Sequence, residues 1–209
     1  MGTIPTAALV EPPSWTGAAH ARNLSSTALR MTYRFRVHGA HHMGTEGSLV
    51  LVTGCEGVLA GLVLHAAAPR PLHVVANAAM SAVLPSSALA TSGDIPLSGP
   101  YSIRTQRQAL AALADDRAVA VAGDAVPVGY LVAASRAAVL PVVLLGVSGR
   151  VPTDPPRPGS RIDVFFAPPV SVDVPGDPLR ATTRAAVVER VRQIVSDAEK
   201  LAGQRSGRA

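Results

Sequence analysis

Apolar residues fall along this chain in short unbroken runs separated by glycine and proline, and near the end in a spaced stripe. Tyr33-Arg34-Phe35-Arg36-Val37 alternates apolar and basic positions, the pattern of a half-buried strand. Ser48 to Thr53 is almost wholly apolar over a strand's length and reads as a strand buried on both faces, which places it in the middle of a helix-covered sheet. Gly54-Cys55-Glu56-Gly57 follows, then a helical stretch from Val58 to Ala68 closed by Pro69 and Pro71. Leu72 to Ala76, Ala118 to Ala122, Val139 to Leu145 and Ile162 to Phe166 read as further strands. Ser102 to Ala114 and Val128 to Ala138 read as helices, Ile95-Pro96-Leu97 as a short extended piece, and Ala78 to Leu89 as either helix or strand.

The last element is the most regular. From Asp177 through Leu201, with Pro178 at a first helical position, Val187, Val191, Ile194, Ala198 and Leu201 recur at helical spacing. Ser25 or Ser26 can cap a short segment through Met31. Strands alternating with helices, without internal repeats, imply one α/β domain with a mixed, largely parallel sheet covered by helices. The expected domain spans 25–202, after an irregular lead-in over 1–24 and before a basic frayed tail over 203–209.

Composition narrows the function classes. At 209 residues, 48% hydrophobic and 16% charged, the chain has enough apolar side chains for one core and is not a disordered tail. Aromatic residues make up 3%, so the core must be Ala, Val and Leu, and no stacking platform for bases is expected, hence no nucleic-acid partner. The net charge of +5 rests on arginine, Lys200 being the one lysine, and permits attraction to anionic surfaces without selecting one. A single cysteine, Cys55, excludes an internal disulfide and fits a reducing, cytoplasmic setting. Met1 to Pro13 shows no secretory pattern, and the apolar runs fall short of a bilayer span.

Several residues invite chemistry. Thr53-Gly54-Cys55-Glu56-Gly57, between a buried strand and a helix, has the outline of a nucleophile elbow with Cys55 as nucleophile. All six histidines precede residue 74, though, so none follows a later acid in hydrolase order; a structural cysteine is the competing reading. Gly54, Gly57 and Gly61 suggest a dinucleotide loop, but their spacing is not that of the fingerprint, and Asn77 stands where an acid would hold ribose. Tight helix–sheet packing is the simpler explanation for them. His38, His41 and His42 lack a carboxylate or thiol at ligand spacing, and Asp115, Asp116 and Asp124 read as loop carboxylates. Neither a cofactor nor a metal is expected.

The order of landmarks resembles the PlsC-like family of glycerolipid acyltransferases, which includes the lysophosphatidate acyltransferases. The resemblance covers residues 30–201: the strand ending at Val37-His38-Gly39, the strand Ser48 to Thr53, the helix from Val58, Gly93-Asp94-Ile95-Pro96-Leu97, the Gly129 helix start, the Pro141 to Gly149 strand, and Asp163 to Val170. It implies acyl-CoA or acyl carrier protein as donor, a lipid acceptor, and peripheral contact with an anionic membrane; separately, Arg180, Arg184, Arg190 and Arg192 of the last helix offer contacts to phosphate, with a solvated face as the ordinary reading. The family's general-base histidine corresponds to Cys55, and the aspartate that orients it to Ala60. Its phosphate-gripping arginine corresponds to Gly99, and its Pro-Glu-Gly-Thr loop falls at Gly123 and Asp124. The resemblance therefore implies an acyltransferase scaffold whose catalytic motifs have degenerated, a pseudoenzyme with a residual acyl-chain or lipid-binding role. The alternatives are a cysteine-dependent acyl-transfer or hydrolytic enzyme and a non-enzymatic protein at an anionic surface.

Overall fold

The computed structural model describes residues 11–44, 46–97, 102–123, 128–151 and 153–206. Six strands form one sheet: β1 (Arg34–His38), β2 (Leu49–Thr53), β3 (Leu72–Val75), β4 (Ala118–Ala122), β5 (Ala138–Leu145) and β6 (Arg161–Phe166). Their order is β1-β6-β5-β2-β4-β3. β5, β2, β4 and β3 are mutually parallel, β6 runs antiparallel to β5, and β1 is parallel to β6. The mixed, largely parallel α/β sheet is the architecture implied by the sequence.

Helices cover both faces, which explains why the central strands carry no polar alternation. Leu49 and Leu51 of β2 point into a core shared with α2 (Ala60–Ala67) and Leu29 of α1 (Trp15–Thr32). Val50 and Val52 point the other way, toward α5 (Ile103–Ala114), α6 (Val128–Ser135) and α7 (Ala181–Ser206). The ambiguous stretch after β3 resolves into two short helices, α3 (Ala78–Val83) and α4 (Ser86–Thr91).

Three expectations need correction. The lead-in over 1–24 is not irregular: from Trp15 it is helix, capped by Ser14, whose Oγ accepts from Gly17 N at 3.0 Å, while Ser25 lies buried inside the helix. The helical signal is weak because the buried stripe is Gly17, Ala18, Ser25 and Leu29, mostly small or polar, so packing against α2 rather than propensity makes the helix. Next, α7 begins at Ala181 and not at Pro178, because the Asp177 carboxylate accepts from Leu179 N at 2.9 Å and turns the chain before the helix starts. Finally, the tail is not frayed from residue 203: Ala198 and Ala202 continue the buried stripe onto Val143 and Phe165, and the helix holds to Ser206.

The Gly93-Asp94-Ile95 segment anchors α1. Gly93 has φ +76°, a left-handed conformation that favours glycine, and a Cβ there would collide with the backbone of Ser14 and Ala18. Gly17 lies against Thr91 O from the other side. A methyl group at Gly17 would meet backbone that cannot swing away, so Gly17→Ala is expected to cost about 1–3 kcal/mol. Urea denaturation reads this as a lowered midpoint; an unchanged midpoint would mean that α1 is not docked here.

Candidate functional site

In open α/β sheets, groups free for chemistry collect beyond the carboxyl ends of the parallel strands. Here the loops after β2 and β5 enclose a cleft of about 470 Å³, roofed by the last turns of α7. Its polar lining comes from Thr53, Cys55, Glu56, Ser148, Glu199 and Ser206.

Cys55, which the sequence resemblance sets against the family's histidine, is half-buried and lines the cleft. Its N–H donates to Thr53 Oγ1 at 3.3 Å, and its Sγ accepts from Gly57 N at 3.4 Å. Burial raises the thiol's pKa above its ordinary value and the Glu56 charge adds to this, against the lowering effect of hydrogen bonds with Gly57 and Ser148. A reactive cysteine needs the opposite, a depressed pKa in electropositive surroundings. No histidine, lysine or arginine lines the cleft among the described residues.

Ala60, which the sequence resemblance sets against the family's aspartate, opens α2, is fully buried, and belongs to the core. Its N–H bonds to Gly57 O at 3.0 Å, which closes the turn that follows Cys55 and leads into α2. Two carboxylates line the cleft. Glu56 lies over Gly123 at the end of β4, and Glu199 of α7 reaches over Gly54. A phosphate brought here would meet like charge and no cationic partner. Gly99 and Asp124, which the sequence resemblance sets against the family's phosphate grip and acidic loop, lie outside the described residues.

The other sequence candidates fall into structural roles. Asn77 is the N-cap of α3: its Oδ1 accepts from Met80 N at 2.8 Å, and its Nδ2 donates to Gly57 O at 3.4 Å. It therefore ties the end of β3 to the Cys55 turn. A Cβ on Gly61 would strike Met80, so this glycine serves close helix packing. Arg180, just before α7, and Arg190 and Arg192 along it are exposed, and Arg184 is partly so. Arg192 pairs with Glu189 at 3.9 Å and Lys200 with Asp197 at 3.3 Å, giving a face of mixed charge. Among the described residues no group of three His, Cys, Asp or Glu converges as a metal site, and no helix is long and apolar enough to cross a membrane.

Two imidazole–carboxylate pairs were invisible in the sequence, and neither faces the cleft. His65 of α2 meets Asp94 at 2.7 Å, with the residues 1% and 5% exposed. Asp94 also accepts from Val74 N at 3.2 Å and Ser92 Oγ at 2.8 Å, which makes it a clamp between α2, β3 and the end of α4. His38 Nε2 lies 3.7 Å from Asp163, a fully buried carboxylate held by Arg161 Nε at 2.6 Å. Only proximity in the fold reveals these pairs; residues 29 and 125 apart in sequence carry no spacing signal.

No protein-family model and no curated protein matches the chain. Among solved structures it is similar to the 1-acyl-sn-glycerophosphate (LPA) acyltransferase PlsC from Thermotoga maritima, with 15% identity and a TM-score of 0.57 over 88% of this chain and 79% of that one. At such identity the likeness is one of fold. The chain has an acyltransferase-like α/β fold of the PlsC type.

Beside the Asp94 clamp, His73 is buried, with Nδ1 2.7 Å from Gly93 O. Burial lowers its pKa, as do the charges of Arg117 and His65, against the opposing pull of Gly93 O and Asp94. The unfolded chain, with histidine near pKa ~6.5, takes up a proton that the folded protein refuses. This contribution to stability is complete above ~6.5 and is lost as pH falls toward the lower, folded-state value. Urea midpoints are expected to drop across that window, and His73→Gln to flatten the drop; an unchanged slope in the variant would contradict this assignment.

Proposed function

We propose that this protein is a non-catalytic homologue of the PlsC-like 1-acylglycerol-3-phosphate acyltransferases, one that retains a lipid- or acyl-chain-binding role. The observation that carries the reading is the strand-end cleft itself. Acyl transfer to a hydroxyl requires a group that accepts the hydroxyl proton as the bond forms. At the position of that group stands a thiol whose surroundings keep it protonated, and at its partner's position a core alanine. The Glu56 and Glu199 carboxylates further oppose a phosphate-bearing acceptor.

A cysteine nucleophile would need a base within hydrogen-bond reach, and the described lining of the cleft offers no imidazole. The fold supports the family reading, and the chemistry of the lining supports the loss of turnover. Binding at an anionic membrane remains compatible with the excess of arginine, although the α7 arginines share their face with Glu189 and Asp197.

Purified protein incubated with long-chain acyl-CoA or acyl carrier protein and lysophosphatidate is expected to form phosphatidate no faster than the protein-free blank. Turnover above the blank that disappears in Cys55→Ala or Gly54→Val would overturn the non-catalytic reading.

A further inference from the structure

A second groove, of about 610 Å³, lies on the opposite side of the last turns of α7 from the cleft, with Val143 of β5 lining both. Its walls are apolar: Val143, Phe165 and Phe166 from the sheet, Leu201 and Ala202 from α7. Its rim carries His38, His41, His42 and Arg205, and no carboxylate lines it among the described residues.

The rim groups are not equivalent. His38 stacks on Phe165, with ring centres 4.4 Å apart and planes 10° from parallel, and Asp163 stands behind it at 3.7 Å. Any charge on His38 is therefore balanced from within the sheet. The His41 and His42 rings lie 4.1 Å apart on the short turn after β1, and Arg205 approaches them from α7. Desolvation first, then the charges of His41 and Arg205, lowers the proton affinity of His42. The Arg205 cation and two imidazole rings able to donate N–H thus converge at the mouth of an apolar trough, an arrangement suited to a negative head group.

We propose that this groove is a binding site for a monomeric aliphatic carboxylate, its chain lying on Val143, Phe165, Phe166 and Leu201 and its head group meeting Arg205, His41 and His42. The groove's volume falls in the range of small-ligand sites, and its lining has their composition, an apolar body with a few placed polar groups. The carboxylate accepts charge-assisted hydrogen bonds from the Arg205 guanidinium. The site is separate from the strand-end cleft and does not require that cleft to be inactive.

The test is calorimetric titration of the full chain at pH 7 with dodecanoate below its micellar concentration, with dodecanol as the uncharged control. Histidine ring resonances are followed by NMR in parallel. Saturable binding of one dodecanoate that shifts the His41 and His42 resonances is expected, weakened about tenfold for dodecanol and about tenfold by Arg205→Gln. Leu201→Glu, at a half-exposed position, should weaken it at least as much, and His42→Asn provides a second polar variant should Arg205→Gln fray the helix end. Equal affinity for dodecanol, indifference to Arg205→Gln and His42→Asn, or binding seen only to dodecanoate-doped vesicles would overturn the proposal.

Discussion

A sheet covered on both faces has nowhere to present a reactive side chain except beyond its strand ends, and this constraint organises the whole molecule. In β2 every residue is buried, its side chains pointing alternately to the α1–α2 core and to the α5–α7 core. Hydrophobic burial of about 25 cal/mol per Å² holds these layers together, so a polar substitution within a strand would cost stability without reaching solvent. The strand-end cleft accordingly draws on the loops that leave β2, β4 and β5, where Cys55, Gly123 and Ser148 lie.

The same constraint explains which landmarks have structural work. Gly93 supplies a left-handed turn against which α1 packs, and Asp94 satisfies a histidine, a backbone amide and a hydroxyl in one buried position. Asn77 caps α3 and holds the turn that carries Cys55. These groups are needed for the chain to close on itself. The turn that leads into α2 closes through backbone groups, Gly57 O and the Ala60 N–H.

The strands were legible because unbroken apolar runs of four to eight residues admit few other readings once glycine and proline bound them. Helix α1 was hidden because its core-facing stripe is Gly17, Ala18 and Ser25 with only Leu29 of any size, so no periodic signal rises above the background. The start of α7 was misplaced because Asp177 and Pro178 look like a helix entry, whereas the carboxylate makes a local turn with Leu179 N. At the site, the placement of Cys55 just beyond a buried strand was readable from the apolar run before it, but the cleft's acidic character was not. Glu56 and Glu199 lie 143 residues apart and meet only because the end of α7 folds back over β2. The buried pair His65–Asp94 and the pair of exposed His38 with buried Asp163 likewise depend on sheet order, which no local pattern encodes.

The central claim is that burial raises the Cys55 thiol above its ordinary pKa, so that it is not a thiolate near neutral pH. Titration of the protein carrying [3-¹³C]cysteine, followed by NMR, observes that group directly, because Cys55 is the sole cysteine. The account predicts a single ionisation above the ordinary thiol range, unaffected by added acyl-CoA. An ionisation below neutral pH would contradict it, since the thiolate would then be available as base or nucleophile.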